Sequence, residues 1–146
     1  MSSDGVGKFT QTVTAGKHTF KTDEPVSVGG LDSAPNPYEE LLAALGSCTA
    51  MKVRREANVK GYSLDDVSIT LDHAKVDAGG GKKIDVIGRS IKLQGNLTEE
   101  QRLDLLAAAN RCPLMQTLTK GPHVTTALVE SFSPPARNDA PAAPRP

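Results

Sequence analysis

The chain has 146 residues, with 17 Lys+Arg balanced by 17 Asp+Glu and only 3% aromatic residues. That length suits one domain, and the even charge, with no basic stretch interleaved with aromatics, excludes the electrostatic footprint of a nucleic-acid binder. The longest mostly apolar run, Leu41 to Met51, falls far short of the roughly 20 residues a bilayer span needs, and the opening Met-Ser-Ser-Asp-Gly carries no signal-peptide pattern, so a cytoplasmic protein without a membrane partner is expected.

Two short strands come first, Lys8 to Ala15 and Lys17 to Thr22, with a hairpin turn at Ala15-Gly16. A loop from Val26 to Pro37 ends in a strong helix start: Asn36 as N-cap, Pro37 at the first helical position, and Glu39 completing a capping box. From Tyr38 the residues Leu41, Ala44, Leu45, Cys48 and Met51 recur at spacings of three and four and mark one buried stripe. The pattern continues through Val53 and Ala57 to Lys60-Gly61, a C-terminal signal, so the predicted helix is about 30 Å long. Gly46 and the alanines 43, 44 and 50 permit close approach of another backbone, from a neighbouring strand or a second subunit.

Beyond Gly61, apolar and polar residues alternate at Val67, Ile69 and Leu71, then at Ile84 and Val86, then at Ile91 and Leu93 with the parity reversed across Gly88. Two strands are predicted, the second bulged. The Gly79-Gly80-Gly81 connection lacks a following Gly-Lys-Ser/Thr and is no phosphate loop. Thr98 and Gln101 form a second capping box, and Leu103, Leu105, Leu106 and Ala109 carry a helix to about Arg111. Pro113 starts a short third helix with Cys112 near its N-cap, before a last strand from Val124 to Phe132. Residues 133–146, rich in Pro and Ala, read as a disordered tail, which leaves a single α+β domain over 1–132. With so few large side chains for its core, the chain is expected to bury surface against a second copy.

Cys48 and Cys112 are too few for a disulfide-stapled scaffold. Read from the residues alone they are either buried structural thiols or a redox pair. His18, His73 and His123 show no metal-ligand spacing with them, so no metal and no cofactor is expected.

Residues 29–51, Gly-Gly-Leu-Asp-Ser-Ala-Pro-Asn-Pro-Tyr-Glu-Glu-Leu-Leu-Ala-Ala-Leu-Gly-Ser-Cys-Thr-Ala-Met, resemble the central-helix signature of the OsmC/Ohr family. Residues 111–118, Arg-Cys-Pro-Leu-Met-Gln-Thr-Leu, resemble its second motif, and the 64-residue separation of the cysteines matches the family's spacing. The resemblance covers about residues 5–132 and implies antiparallel sheets packed around a long central helix in an intertwined homodimer. It further implies a bacterial antioxidant stress-response enzyme that reduces organic hydroperoxides and is recycled by a lipoyl-type dithiol. On that resemblance Cys48 is the peroxidatic thiol and Cys112 resolves its sulfenic acid as a disulfide.

The chain departs from the family's peroxidase pattern in two places. The Glu that directly follows Asn-Pro in the best-characterised members is Tyr38 here, with Glu39 and Glu40 displaced. No arginine precedes Arg54, so an N-terminal activating arginine has no counterpart. By helical geometry Glu39 points away from Cys48 and suits the cap, Glu40 is the acid within reach, and Arg55 shares the Cys48 face about 10 Å along the axis. Position alone favours Cys112 as the activated thiol, beside Arg111 at a helix N-terminus. The expected site therefore comprises Cys48, Cys112, Glu40 and Arg55, with Leu41, Leu45 and Met51 contacting an apolar substrate. The alternative is a non-catalytic small-molecule-binding or thiol redox-sensing dimer that lacks the activating Arg/Glu pair.

Overall fold

Helix α1 (Pro37–Lys60) is built as its ends dictate: the Asn36 side chain accepts from the Tyr38 and Glu39 N–H groups, Glu39 returns a bond to the Asn36 N–H, and Gly61 caps the last turn. The computed structural model describes residues 2–3 and 7–128. Before α1 come β1 (Ser2–Ser3), β2 (Gln11–Ala15), β3 (His18–Thr22) and a 3-10 turn at Val26–Val28. After it come β4 (Asp66–Asp77), β5 (Lys83–Gln94), α2 (Glu99–Asn110) and α3 (Pro113–Lys120). The first three strands form one antiparallel sheet in the order β1-β2-β3, and β4 and β5 form a second.

The core lies between α1, α2 and the proximal half of the β4-β5 hairpin. Leu45, Thr49, Val53 and Ala57, each one turn after the last, form the buried face of α1, against Leu105, Ala108, Ala109 and Cys112. The stripe is thus rotated from the one predicted: Met51 is 70% exposed, and Thr49 takes an interior place. Val67 and Ile69 of β4, with Ile91 and Leu93 of β5, close the other side of this core. A Cβ on Gly46 would stand 3.0 Å from Leu71 Cδ1, so the close approach that glycine permits is to β4 of the same chain.

The predicted bulge is absent. Pairing runs unbroken from Asp66↔Gln94 to Asp77↔Lys83. The parity reverses because the buried face changes sides along the hairpin: Val67 and Ile69 face α1, whereas Val76, Ile84 and Val86 lie on the opposite, exposed face of the distal half. Gly88 serves a different purpose, since a Cβ there would meet the Asp72 carboxylate at 2.4 Å.

The N-terminal sheet is fastened to the entrance of α1 through Asp23. Its carboxylate accepts from the Glu24, Leu31 and Ser33 N–H groups and from the Ser33 hydroxyl, while Thr22 Oγ1 and the Asp23 N–H donate to the Pro35 carbonyl. The last predicted strand does not form over residues 124–128, which have no regular structure. Its remainder and the predicted tail lie outside the described residues.

Candidate active site

Two helices deliver the two thiols. Cys48 is in the middle of α1, and Cys112 occupies the N-cap of α3, where the chain turns sharply out of α2 and Pro113 begins the next helix. The sulfurs are hydrogen-bonded at 2.7 Å, so a disulfide, with its S–S bond of about 2.05 Å, needs almost no movement.

Their surroundings differ. Cys112 is fully buried, whereas Cys48 is partly open and lines a cavity of about 420 Å³ with Ala44, Ser47, Met51, Lys52, Arg55 and Pro113. Burial, then the hydrogen bond with Cys112, pushes the Cys48 thiol up. Burial works against the Cys112 thiolate too, but hydrogen bonds from Cys48, the Met115 N–H, the Thr49 hydroxyl and the Leu114 N–H outweigh it and hold this thiol below its ordinary range.

A cation that sequence reasoning missed stands behind Cys112. Arg89, from β5, donates through Nη1 to Thr49 Oγ1 at 2.9 Å and to the Ala109 carbonyl at 3.3 Å, and through Nη2 to Asn110 Oδ1 at 2.8 Å. It also lines a second cavity of about 320 Å³ with Leu45, Asp85, Ile87, Met115 and Leu118. Nothing local in the sequence marks Arg89, because its place depends on the register of β5 and on how the hairpin packs against α1.

Among the residues predicted for the site, Met51 and Arg55 share the Cys48 cavity. Leu45 lines the Arg89 cavity instead, and Leu41, half-buried, lines neither. Glu40 is two turns before Cys48, and its Oε1, shielded from solvent, has no hydrogen-bond partner among the described residues. Tyr38, directly after Pro37, stacks on His73 with ring centres 4.3 Å apart and so ties the start of α1 to β4. Arg54 pairs with Asp66 at 2.7 Å, and Arg111 lies 3.7 Å from Glu56; neither makes a hydrogen bond to a thiol.

The family described as OsmC-like protein matches residues 30–127, a span that contains both cysteines, α1, the long hairpin and the two shorter helices. The chain belongs to the OsmC-like family. The solved OsmC-like protein of Mycoplasma pneumoniae superposes with a TM-score of 0.64 at 16% identity, over 75% of this chain and 79% of that one. The organic hydroperoxide resistance protein OsmC of Legionella pneumophila gives 0.57 at 22% identity, over 75% and 87%. The organic hydroperoxide resistance protein OhrB of Bacillus subtilis gives 0.52 at 16% identity, over 74% and 87%. At these identities the likeness is one of fold. No curated protein matches the chain in sequence.

Proposed function

We propose that this OsmC-like protein is a two-cysteine peroxidase for organic hydroperoxides. The observation that carries the reading is the pair itself: a partly open Cys48 on a cavity wall, 2.7 Å from a buried Cys112. In the reaction Cys48 Sγ attacks the terminal oxygen of ROOH, the O–O bond breaks and ROH departs, leaving Cys48 as a sulfenic acid. Cys112 then attacks that sulfur, expels water and closes the disulfide, which a dithiol of the lipoyl type reopens. The apolar wall at Ala44, Met51 and Pro113 suits an alkyl or aryl substituent better than hydrogen peroxide, and Lys52 and Arg55 at the same cavity stabilise charge on the departing oxygen. Leu45 and Leu41 support the thiol-bearing stretch of α1 from behind.

The reading includes a cytoplasmic homodimer. Val76, Ile84 and Val86 present an exposed apolar face on the hairpin, and Phe20 adds another exposed ring on the N-terminal sheet.

Steady-state turnover tests the reading, with cumene hydroperoxide and hydrogen peroxide compared and dihydrolipoamide as reductant. The expected result is faster turnover of cumene hydroperoxide, abolished in Cys48→Ser and sharply reduced in Cys112→Ser. Consumption of both peroxides no faster than by a free thiol would overturn catalysis and leave the binding or sensing dimer.

A further inference from the structure

The cavity on the Arg89 side takes no part in the proposed chemistry, and its walls are unlike those around Cys48. Leu45 reaches it from α1, Asp85, Ile87 and Arg89 from β5, and Met115 and Leu118 from α3. We infer that this cavity is a second binding site, for a small molecule with one carboxylate on a short apolar body, and that Arg89 holds the carboxylate. The inference is independent of what the thiols do.

Local structure leaves these walls facing one another. Alternate residues of a strand share a face, so Asp85, Ile87 and Arg89 stand on one side of β5, opposite Lys75, His73 and Leu71 of β4 in turn. Helix α3 is short and packs on α1, and none of its residues is buried. Met115 and Leu118, three positions apart and so on one side of α3, therefore border the cavity instead of entering a core. With Leu45 they give it three apolar side chains from two helices, and Ile87 adds a fourth from the strand.

The charge decides the ligand class. Arg89 makes three hydrogen bonds, all to neutral oxygens: the Thr49 hydroxyl at 2.9 Å, the Ala109 carbonyl at 3.3 Å and the Asn110 side-chain amide at 2.8 Å. A guanidinium has five N–H groups, so at least two are left over. Among the described residues no carboxylate forms an ion pair with it. The acid on the same wall, Asp85, is four residues away, about 13 Å along the strand, and is held there by Lys75 at 2.7 Å and His73 at 2.8 Å. A half-buried cation whose partners are all neutral favours an anion beside it. In the Cys48 cavity, by contrast, Lys52 is already paired with Glu56 at 3.1 Å.

The forked guanidinium matches the planar carboxylate, which accepts two parallel hydrogen bonds from it. The bonds to Thr49, Ala109 and Asn110 hold the Arg89 side chain in place before a ligand arrives, so little is lost in ordering it. A volume of about 320 Å³ is at the small end of ligand pockets. Ile87 stands midway between Arg89 and the Asp85 cluster, which limits the apolar body to a short one lying among Leu45, Ile87, Met115 and Leu118. A neutral molecule of the same shape leaves the cation uncompensated, and an amine meets a charge of its own sign.

The test titrates the reduced full-length protein, without peroxide, with sodium hexanoate and follows the methyl resonances by NMR. Saturable shifts are expected at Leu45, Ile87, Met115 and Leu118, with 1-hexanol bound about tenfold more weakly and hexylamine more weakly still. Arg89→Met is expected to make hexanoate no tighter than hexanol, and Arg89→Lys, which keeps the charge but not the fork, to fall between. Because Arg89 also fastens α1 to α2, a second variant leaves it untouched: Leu118→Trp fills the cavity from α3 and abolishes the shifts for both compounds, while the core methyls of Val53 and Leu105 keep their positions. Shifts confined to Ala44 and Met51 would put the anion in the Cys48 cavity and overturn the inference. So would equal affinity for hexanoate and hexanol in the wild type, or the absence of any saturable shift. Resonances of Ile87 and Leu118 that follow protein concentration without hexanoate would make this face a contact between copies of the chain, and would overturn it as well.

Discussion

A buried carboxylate and a buried thiol face the same cost of burial in this protein, and each is offset by several polar neighbours. For Asp23, the Ser33 hydroxyl above all, helped by the Glu24, Ser33 and Leu31 N–H groups, overcomes burial and holds the carboxyl below its usual range. Because the folded value is depressed, the stabilisation it brings is present above the unfolded value of about 3.9 and is lost as pH falls through the folded one. Asp23→Asn is therefore expected to be less stable than wild type at neutral pH and to show a shallower fall in Tm below about pH 4, measured by thermal denaturation across an acid series. At Cys112 four groups on two helices favour the charged form, Cys48 and Thr49 on α1 and the Leu114 and Met115 amides on α3. The residues alone left the two thiols open between core and redox roles, and only the resemblance of two motifs to the family brought them together, whereas Thr49 was hidden in plain view beside Cys48. Its inward direction follows from a rotation of the buried face that small residues around it left undetermined.

At the scale of elements, the helices were the most legible part of the fold because their signals are local. Both capping boxes read from Asn36 and Thr98 form, as does the turn at Gly61. Asn36 satisfies two N–H groups of α1, so Asn36→Ala is expected to cost about 1 kcal/mol by urea denaturation, with the denaturant slope unchanged. Leu105 is completely buried in the shared core of α1 and α2, and Leu105→Ala is expected to cost about 2–5 kcal/mol in the same measurement. A loss below about 1 kcal/mol would mean that the core collapses around the gap. The hairpin was misread in one respect. Reversed parity was taken for an extra residue, but β4 and β5 stay in register while the apolar face passes from one side to the other. The alternation was correctly seen; which layer each half would meet depends on packing that a single strand does not record. The last predicted strand does not form over residues 124–128, where the alternation of apolar and polar residues alone did not secure pairing with either sheet.

For the whole molecule, the distal hairpin face is the feature that one chain leaves unfinished. Val76, Ile84 and Val86 are each at least 40% exposed and share one side of the ladder, so a second copy gains apolar burial there at small cost in polar groups. Sedimentation equilibrium is expected to give a dimer, and Val86→Glu to shift it toward monomer; a wild-type monomer at all concentrations would remove the assembly from the account. The low aromatic content raised the expectation of a second copy; it could not say which residues of the hairpin would be exposed. No helix among the described residues is long and apolar enough to cross a membrane.

The central claim is that Cys48 and Cys112 act as one redox unit, and a single-turnover experiment tests it most directly. Fully reduced protein is mixed with one equivalent of cumene hydroperoxide, quenched at intervals with a thiol-trapping reagent, and analysed by intact mass and peptide mapping. The account predicts rapid loss of both thiols together, a Cys48–Cys112 linked peptide, and a trapped sulfenic acid on Cys48 alone when Cys112 is replaced by serine. Retention of both thiols after the peroxide is spent, or a sulfenic acid that forms first on Cys112, would contradict it.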